Sequence, residues 1–217
     1  IRHAVKNGAY LDGTKIMLAR NGACRCLMER SDILLPGDHN VENYLAAICA
    51  VGEDAEDADI LFVARTFGGV EHRLEFVRNF EGVDYYNSSI DSSPNRTIHA
   101  LGVFPEKVIL LAGGKDKKIP YDALGPVLAD KVKVLILTGP TADKIEAALR
   151  NAFAERGMSC PVPVFRAACY EEAVVQARAS AKPGDTVLLS PASTSFDMFK
   201  NFEERGNTFK KIVHNLK

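Results

Sequence analysis

The run KVILLAGG, residues 107–114, decides the fold class. Five apolar residues stand in succession between a lysine and a pair of glycines. A strand with one wet face alternates apolar and polar residues, whereas a strand covered on both faces is apolar throughout. A run this short, closed by glycine, reads as a buried strand. KVKVLILTG (131–139) and DTVLLSPA (185–192) repeat the pattern, each ending in Gly, Ser or Pro, and residues 163–167 supply a shorter strand. Between them, residues 121–130, 141–156 and 170–181 carry helical spacing, the last two rich in alanine. Residues 195–216 form a long amphipathic segment that includes Phe196, Phe199, Phe202, Phe209, Ile212 and Val213. Alternating β and α units with short links predict an α/β fold, a mostly parallel sheet with helices on both faces. Ligands gather at the carboxyl ends of the strands in such sheets. Gly113-Gly114-Lys115, Thr138-Gly139 and Ser190-Pro191 should therefore share one edge.

Residues 1–68 have a different texture. GAYLDGTKIML (8–18) and ACRCLMERSDILL (23–35) predict two or three antiparallel strands, with Asp12-Gly13 as a turn. PGDHNVENYLAAICAV (36–51) opens with a strand break at Pro36-Gly37 and continues as a helix. The acidic run EDAEDAD (53–59) reads as a solvated turn into a second helix over 58–67, a cation site being the alternative. Thr66-Phe67-Gly68-Gly69 marks a hinge, which divides the chain into 1–67 and 68–217.

Bulk properties exclude several classes. The 217 residues are 47% hydrophobic and 25% charged with a formal net charge of −1, so no global field favours nucleic acid or a membrane. No apolar run approaches the roughly 18–20 residues that span a bilayer, and no signal peptide is visible. The expectation is a cytoplasmic, monomeric protein. Five irregularly spaced cysteines, with no His or Cys pair following Cys24-Arg25-Cys26 at zinc spacing, read as reduced structural thiols. The opening Ile-Arg-His, without Met and already in strand-like material, reads as a fragment of a longer chain.

Several stretches could carry chemistry. AGGKDKKIP (112–120) sets a glycine pair at a strand end before Lys115, Lys117 and Lys118. Glycines let backbone N–H groups approach an anion, and lysine adds a point charge. A solvated lysine loop fits the run as well, and the G-x-x-x-x-G-K-[ST] spacing of a phosphate-binding loop is absent from the chain. In LLSPASTSFDMFKNFEERGN (188–207), a strand ends at Ser190-Pro191 and a helix is expected to open near Ser193–Ser195. Hydroxyls there serve either an anion at the helix N-terminus or plain capping, with Phe196, Phe199 and Phe202 in the core. Arg73, in GVEHRLEFV (69–77), is either a phosphate clamp or a surface ion-pair partner. Asn40 and Asn43 on neighbouring helical turns are either a base-reading pair or an N-cap. YYNSSIDSSPNR (85–96) turns abruptly from aromatics to small polar residues ahead of a helix near Pro94.

Taken together and in order, LPGDHNVENYLAA, GVEHRLE, YYNSSIDSSPNRT, GGKDKKIP and LLSPASTSFDMFKNFEERGNTFK resemble the Mur ligase family, and within it the members that add D-glutamate. The resemblance covers essentially the whole chain, and the last stretch is its most specific part. It implies that residues 1–67 are the end of a central ATP-binding domain and 68–217 a C-terminal Rossmann-like ligase domain. The phosphate-binding loop and most Mg2+ ligands would lie upstream. The implied chemistry joins D-glutamate to UDP-N-acetylmuramoyl-L-alanine in peptidoglycan precursor synthesis. ATP phosphorylates the terminal carboxylate, and the amine attacks the acyl phosphate. By the same resemblance Ser92, Lys117, Ser195, Phe196 and Phe202 hold D-glutamate, while Asn40, Asn43, Arg73, Ser88 and Asp91 serve the nucleotide. One departure stands out. The family pattern NDSIASSP has an aspartate on the ribose where this chain has Ser88, and alanine where it has Asp91. Loss of that charge-assisted bond would weaken ATP binding by about 1–2 kcal/mol unless Asp91 substitutes. A sister Mur ligase, a polyglutamate-adding ligase and a non-catalytic nucleotide- or anion-binding module are the other readings.

Overall fold

The computed structural model describes residues 5–35, 37–52 and 54–217. It consists of two compact units that meet between Gly69 and Val70.

The first unit contains an antiparallel sheet of β1 (Gly8–Asp12), β2 (Lys15–Arg20) and β3 (Ala23–Glu29), in that order. Between β2 and β3, Asn21 and Gly22 both adopt positive φ, 50° and 83°. That is the two-residue turn whose twist matches a hairpin. Helix α1 (Asp38–Val51) buries Val41, Tyr44, Leu45 and Ile48, a stripe spaced at three, four and seven residues. The stripe packs with Ile16, Leu18 and Met28 of the sheet and with Ala64 of α2 (Asp57–Thr66). The acidic run supplies the start of α2, where Glu56 and Asp59 form a capping box. Asp57 takes both oxygens to Arg25 at 2.7 and 2.8 Å.

The second unit holds β4 (Glu75–Phe80), β5 (Val83–Asn87), α3 (Pro94–Val103), β6 (Val108–Gly113), α4 (Leu124–Lys131), β7 (Val132–Thr138), α5 (Ala142–Glu155), β8 (Val164–Arg166), α6 (Tyr170–Ser180), β9 (Thr186–Leu189) and α7 (Phe202–His214). Its sheet runs β4-β5-β9-β6-β7-β8, parallel except for β4. The apolar strands are explained by two cores. Leu110 and Ala112 of β6, Leu188 of β9, and Leu135 and Leu137 of β7 face α3, α4 and α5. Their neighbours Ile109, Leu111, Val187, Leu189, Val134 and Ile136 face α6 and α7. The α/β class and the mostly parallel sheet are as the sequence predicts.

Two elements differ from the sequence reading. The antiparallel edge strand β4 is not legible in advance, because EFVRNF neither alternates nor runs apolar; it is joined to β5 by Glu81-Gly82, both at positive φ. The last helix does not open near Ser193–Ser195. It begins at Phe202, where the Asn201 side chain accepts the Glu204 N–H at 2.8 Å. The serines lie instead in an irregular segment held by neighbouring loops, so no helix N-terminus faces a ligand from Ser193–Ser195.

Leu110→Ala, on the fully buried strand, is expected to lower unfolding free energy by about 2–5 kcal/mol in urea titration. Val175→Ala, 61% exposed on α6, should stay within about 0.5 kcal/mol of the parent.

Candidate functional site

The carboxyl ends of β5, β9, β6 and β7 are drawn into one polar edge by very close backbone approaches. Gly113 and Gly114 have φ of 112° and 144°, and a Cβ on them would run into the carbonyl oxygens of Thr138 and Thr194. Only glycine fits at either place. The Lys115 N–H donates to the Thr194 carbonyl at 2.9 Å, and Thr194 Oγ1 returns a bond to the Lys115 carbonyl at 3.1 Å. Thr141 closes the other side, its N–H and its hydroxyl both donating to the Gly114 carbonyl at 3.1 Å. Beneath, the Ser193 hydroxyl bonds Tyr121 at 2.9 Å and Thr141 at 2.8 Å.

A buried cation ties these loops together. Arg205 of α7 is 1% exposed. Its Nε donates to Ser89 Oγ at 3.0 Å, Nη2 to the Ser89 carbonyl at 2.8 Å, and Nη1 to the Ser193 carbonyl at 3.0 Å. All three acceptors are neutral oxygens, so the positive charge beneath the strand-end loops is not cancelled by its own hydrogen bonds. Burial lowers the arginine's pKa, opposed by nearby Tyr170, Asp197 and Asp91, but a guanidinium stays charged. Burial also pushes the Tyr170 hydroxyl up to about 12. A further bond from Ser89 Oγ to the Phe202 carbonyl, 2.7 Å, fixes the first turn of α7 to the same loop.

Along the neighbouring edge, the amide of Asn87 at the end of β5 bonds His72 and Glu75, and Asn87 Oδ1 accepts the Ser89 N–H at 3.1 Å. Ser88 is 1% exposed and its hydroxyl accepts the Leu74 N–H at 3.2 Å. Asp91 is 6% exposed and accepts the Ser190 hydroxyl at 2.8 Å. Burial raises the pKa of its carboxyl, while Ser88, Ser190 and the charges of Arg96 and Arg73 favour ionisation. Both members of the departure noted in the sequence thus face inward and are engaged by the protein.

Of the residues assigned to D-glutamate, Ser92, Ser195 and Phe202 lie on segments joined through Ser89, Ser193 and Arg205. Ser195 is buried, Ser92 and Phe202 are half-buried, and Phe196 is exposed rather than part of the core. Lys117 is exposed on the loop that Lys115 pairs with Thr194. Arg73 is exposed in the turn before β4. In the first unit, Asn40 and Asn43 lie one turn apart on α1, with Asn43 Nδ2 3.4 Å from Asn40 Oδ1. Arg205 and the His72–Asn87–Glu75 group escape a reading by motif. The signal for Arg205 is a cation in the stripe Phe202, Phe209 and Val213, where an apolar residue belongs.

The family described as Mur ligase, glutamate ligase domain, matches residues 72–193. The UDP-N-acetylmuramoylalanine--D-glutamate ligase of Acetivibrio thermocellus is 57% identical over 98% of this chain and 46% of its own length. That of Clostridium novyi is 49% identical over 99% of this chain and 46% of its own length. The chain thus spans less than half the length of these relatives. Among solved structures, the UDP-N-acetylmuramate-alanine ligase MurC of Thermotoga maritima superposes with a TM-score of 0.63 at 15% identity, over 94% of this chain and 43% of that one. The MurF ligase of Thermotoga maritima in complex with ADP gives 0.58 at 18% identity, over 95% and 45%. At such identities the superpositions speak for the fold.

The Ser88–Asp91 contact makes a specific forecast. Ser88→Asp sets a second carboxylate against a buried one and should lower stability at pH 7 by roughly 1–3 kcal/mol, with Asp91→Ala in the same chain recovering much of the loss. The folded pKa of Asp91 is raised, so its contribution is fully present below the unfolded value near ~3.9 and is lost as pH rises through the folded value. Asp91→Asn should therefore gain on the parent as pH rises above about 4, read by thermal melts at a series of pH values.

Proposed function

The chain belongs to the Mur ligase family, and on that premise we propose that it is part of an ATP-dependent amide ligase joining D-glutamate to UDP-N-acetylmuramoyl-L-alanine. The observation that carries the reading is that relatives bearing that activity's name align with nearly the whole chain at close to half identity or better. In the proposed reaction, the γ-phosphoryl group of ATP passes to the terminal carboxylate of the UDP-sugar substrate. The amine of D-glutamate then attacks the acyl carbon, and the tetrahedral intermediate expels phosphate as the amide forms.

D-Glutamate brings two carboxylates, and the physical setting of the edge suits them. We assign Lys117 to one carboxylate as a point charge, with Ser92, Ser195 and the first turn of α7 at Phe202 as neutral partners; Phe196, exposed beside Ser195, offers an apolar wall. The charge of Arg205, whose own hydrogen bonds go to neutral oxygens and which Asp197 and Asp91 partly offset, favours an anion above the loops without touching it. Arg73 is assigned to nucleotide phosphate. Ser88 and Asp91, assigned to the nucleotide by resemblance, act in this chain through the protein groups they already bond, which supports a weaker direct ribose contact. In the first unit, Asn40 and Asn43 are assigned to the adenine edge.

Magnesium belongs to the same proposal. Among the described residues, no group of three or more His, Cys, Asp or Glu side chains is placed to hold a metal ion. The ion would neutralise phosphate oxygens when bound, and its ligands are assigned outside the described residues. No helix among the described residues is long and apolar enough to cross a membrane; a cytoplasmic, monomeric enzyme is part of the proposal.

The test is acceptor-dependent phosphate release from ATP by the complete protein that contains this chain, with UDP-N-acetylmuramoyl-L-alanine as donor. D-Glutamate alone among D-glutamate, L-alanine, a diamino acid and a polyglutamate acceptor should support release, and Lys117→Ala should raise the D-glutamate KM at least about tenfold. The isolated 217-residue chain should neither hydrolyse ATP nor form product. Release driven by another acceptor, or turnover by the isolated chain, would overturn the assignment.

A further inference from the structure

No step of the proposed reaction uses His72, yet it is one of the most constrained side chains in the second unit. It is 4% exposed and adopts φ of 65°; Leu74, two residues on, adopts 48°. Non-glycine residues enter this left-handed region only where surrounding bonds hold them there. Arg73 stands between the two. The backbone of His72 is fixed at both ends, its N–H donating to Glu75 Oε2 at 2.9 Å and its carbonyl accepting the Ile90 N–H at 3.2 Å.

The ring is held just as closely. Asn87 Nδ2 lies 2.9 Å from His72 Nδ1. The amide cannot be turned round, because its oxygen accepts the Ser89 N–H and its nitrogen also donates to Glu75 Oε2 at 2.9 Å. An amide nitrogen has only hydrogens to offer, so Nδ1 accepts and the neutral ring carries its proton on Nε2. The other side of the imidazole meets Phe202 edge-on, with centroids 6.0 Å apart and planes at 85°. Gly206 lies beneath; a Cβ there would run into Nδ1, so glycine is what lets α7 come this near. Glu75 Oε1 reaches Lys210 of α7 at 3.0 Å, closing the ring of contacts from the helix side.

We propose that His72 is a positioning residue. Its imidazole, as the Nε2–H tautomer, locks the Asn87 amide and the Phe202 ring together. The strained turn that presents Arg73 and the first turn of α7 then move as one piece. The functional meaning rests on the assignment of Arg73 and Phe202 to opposite ends of the reaction, phosphate and D-glutamate. Displacing either end would then be felt at the other without any ligand touching His72.

The experiment is nuclear magnetic resonance on the whole chain, with His72→Asn and His72→Ala as variants. Asparagine tolerates the left-handed backbone, and its oxygen can stand where Nδ1 does, but it has no ring to set against Phe202. In the parent, long-range nitrogen spectra of the imidazole should show Nε2 protonated and Nδ1 bare. In His72→Asn the Ile90 amide should keep its protection, while the Gly206 amide exchanges about tenfold faster. His72→Ala should loosen both. A proton on Nδ1 would overturn the proposal, as would Ile90 and Gly206 amides unmoved in His72→Ala. Should the alanine variant fail to fold, the parent tautomer and the asparagine variant still decide. Arg73→Ala and Phe202→Ala, titrated with ADP and D-glutamate, test the assignments separately. Unchanged binding there with the amide effects present would sink those assignments and leave the positioning role standing.

Discussion

A single buried guanidinium organises the polar edge of the second unit. Arg205 reaches from α7 to the β5–α3 loop at Ser89 and to the loop after β9 at Ser193, three bonds from one planar group. Taking a charge out of water costs several kcal/mol unless its hydrogens are satisfied. Here they are satisfied by oxygens of two loops that the Ser190–Asp91 bond also joins. The same bonds that settle the arginine therefore help to settle the loops.

The rest of the edge follows from how closely backbone can approach backbone. Gly113 and Gly114 let β6 end against the Thr138 and Thr194 carbonyls, which brings the lysine loop alongside the serine-rich segment. Gly206 does the same for α7 against His72. Strand ends, a helix turn and two loops are thus set at short range by the protein's own contacts, which is what the proposed anion-binding role requires if the edge is to avoid ordering itself on binding.

The parts of this arrangement legible in the sequence were those governed by local pattern. Strands covered on both faces have to be apolar at every position, so β6, β7 and β9 announce themselves, and the helices between them follow from spacing. Asn201-Phe202-Glu203-Glu204 was as good a cap signal as the serines before it. The serines misled because the Ser193 hydroxyl is taken up by Tyr121 and Thr141 and the Thr194 backbone beside it by Lys115, contacts that no local pattern encodes. The edge strand β4 was missed for the opposite reason, since a half-covered edge carries neither an apolar run nor clean alternation. Arg205, His72 and the inward turn of Ser88 and Asp91 depend on distant partners. The resemblance could place these positions in a family pattern, but only the fold shows what they bond.

The measurement that bears most directly on the organising role of Arg205 is amide hydrogen exchange in Arg205→Lys. Lysine keeps the charge but cannot make the planar fork, so the change isolates the bonds from the field. Exchange at Ser89, Ile90 and Lys115 should rise together by about an order of magnitude or more, with the β6 and β7 amides of the sheet interior unchanged. Protection that persists in both loops, or loosening of one loop without the other, would contradict the claim that this arginine holds the edge together.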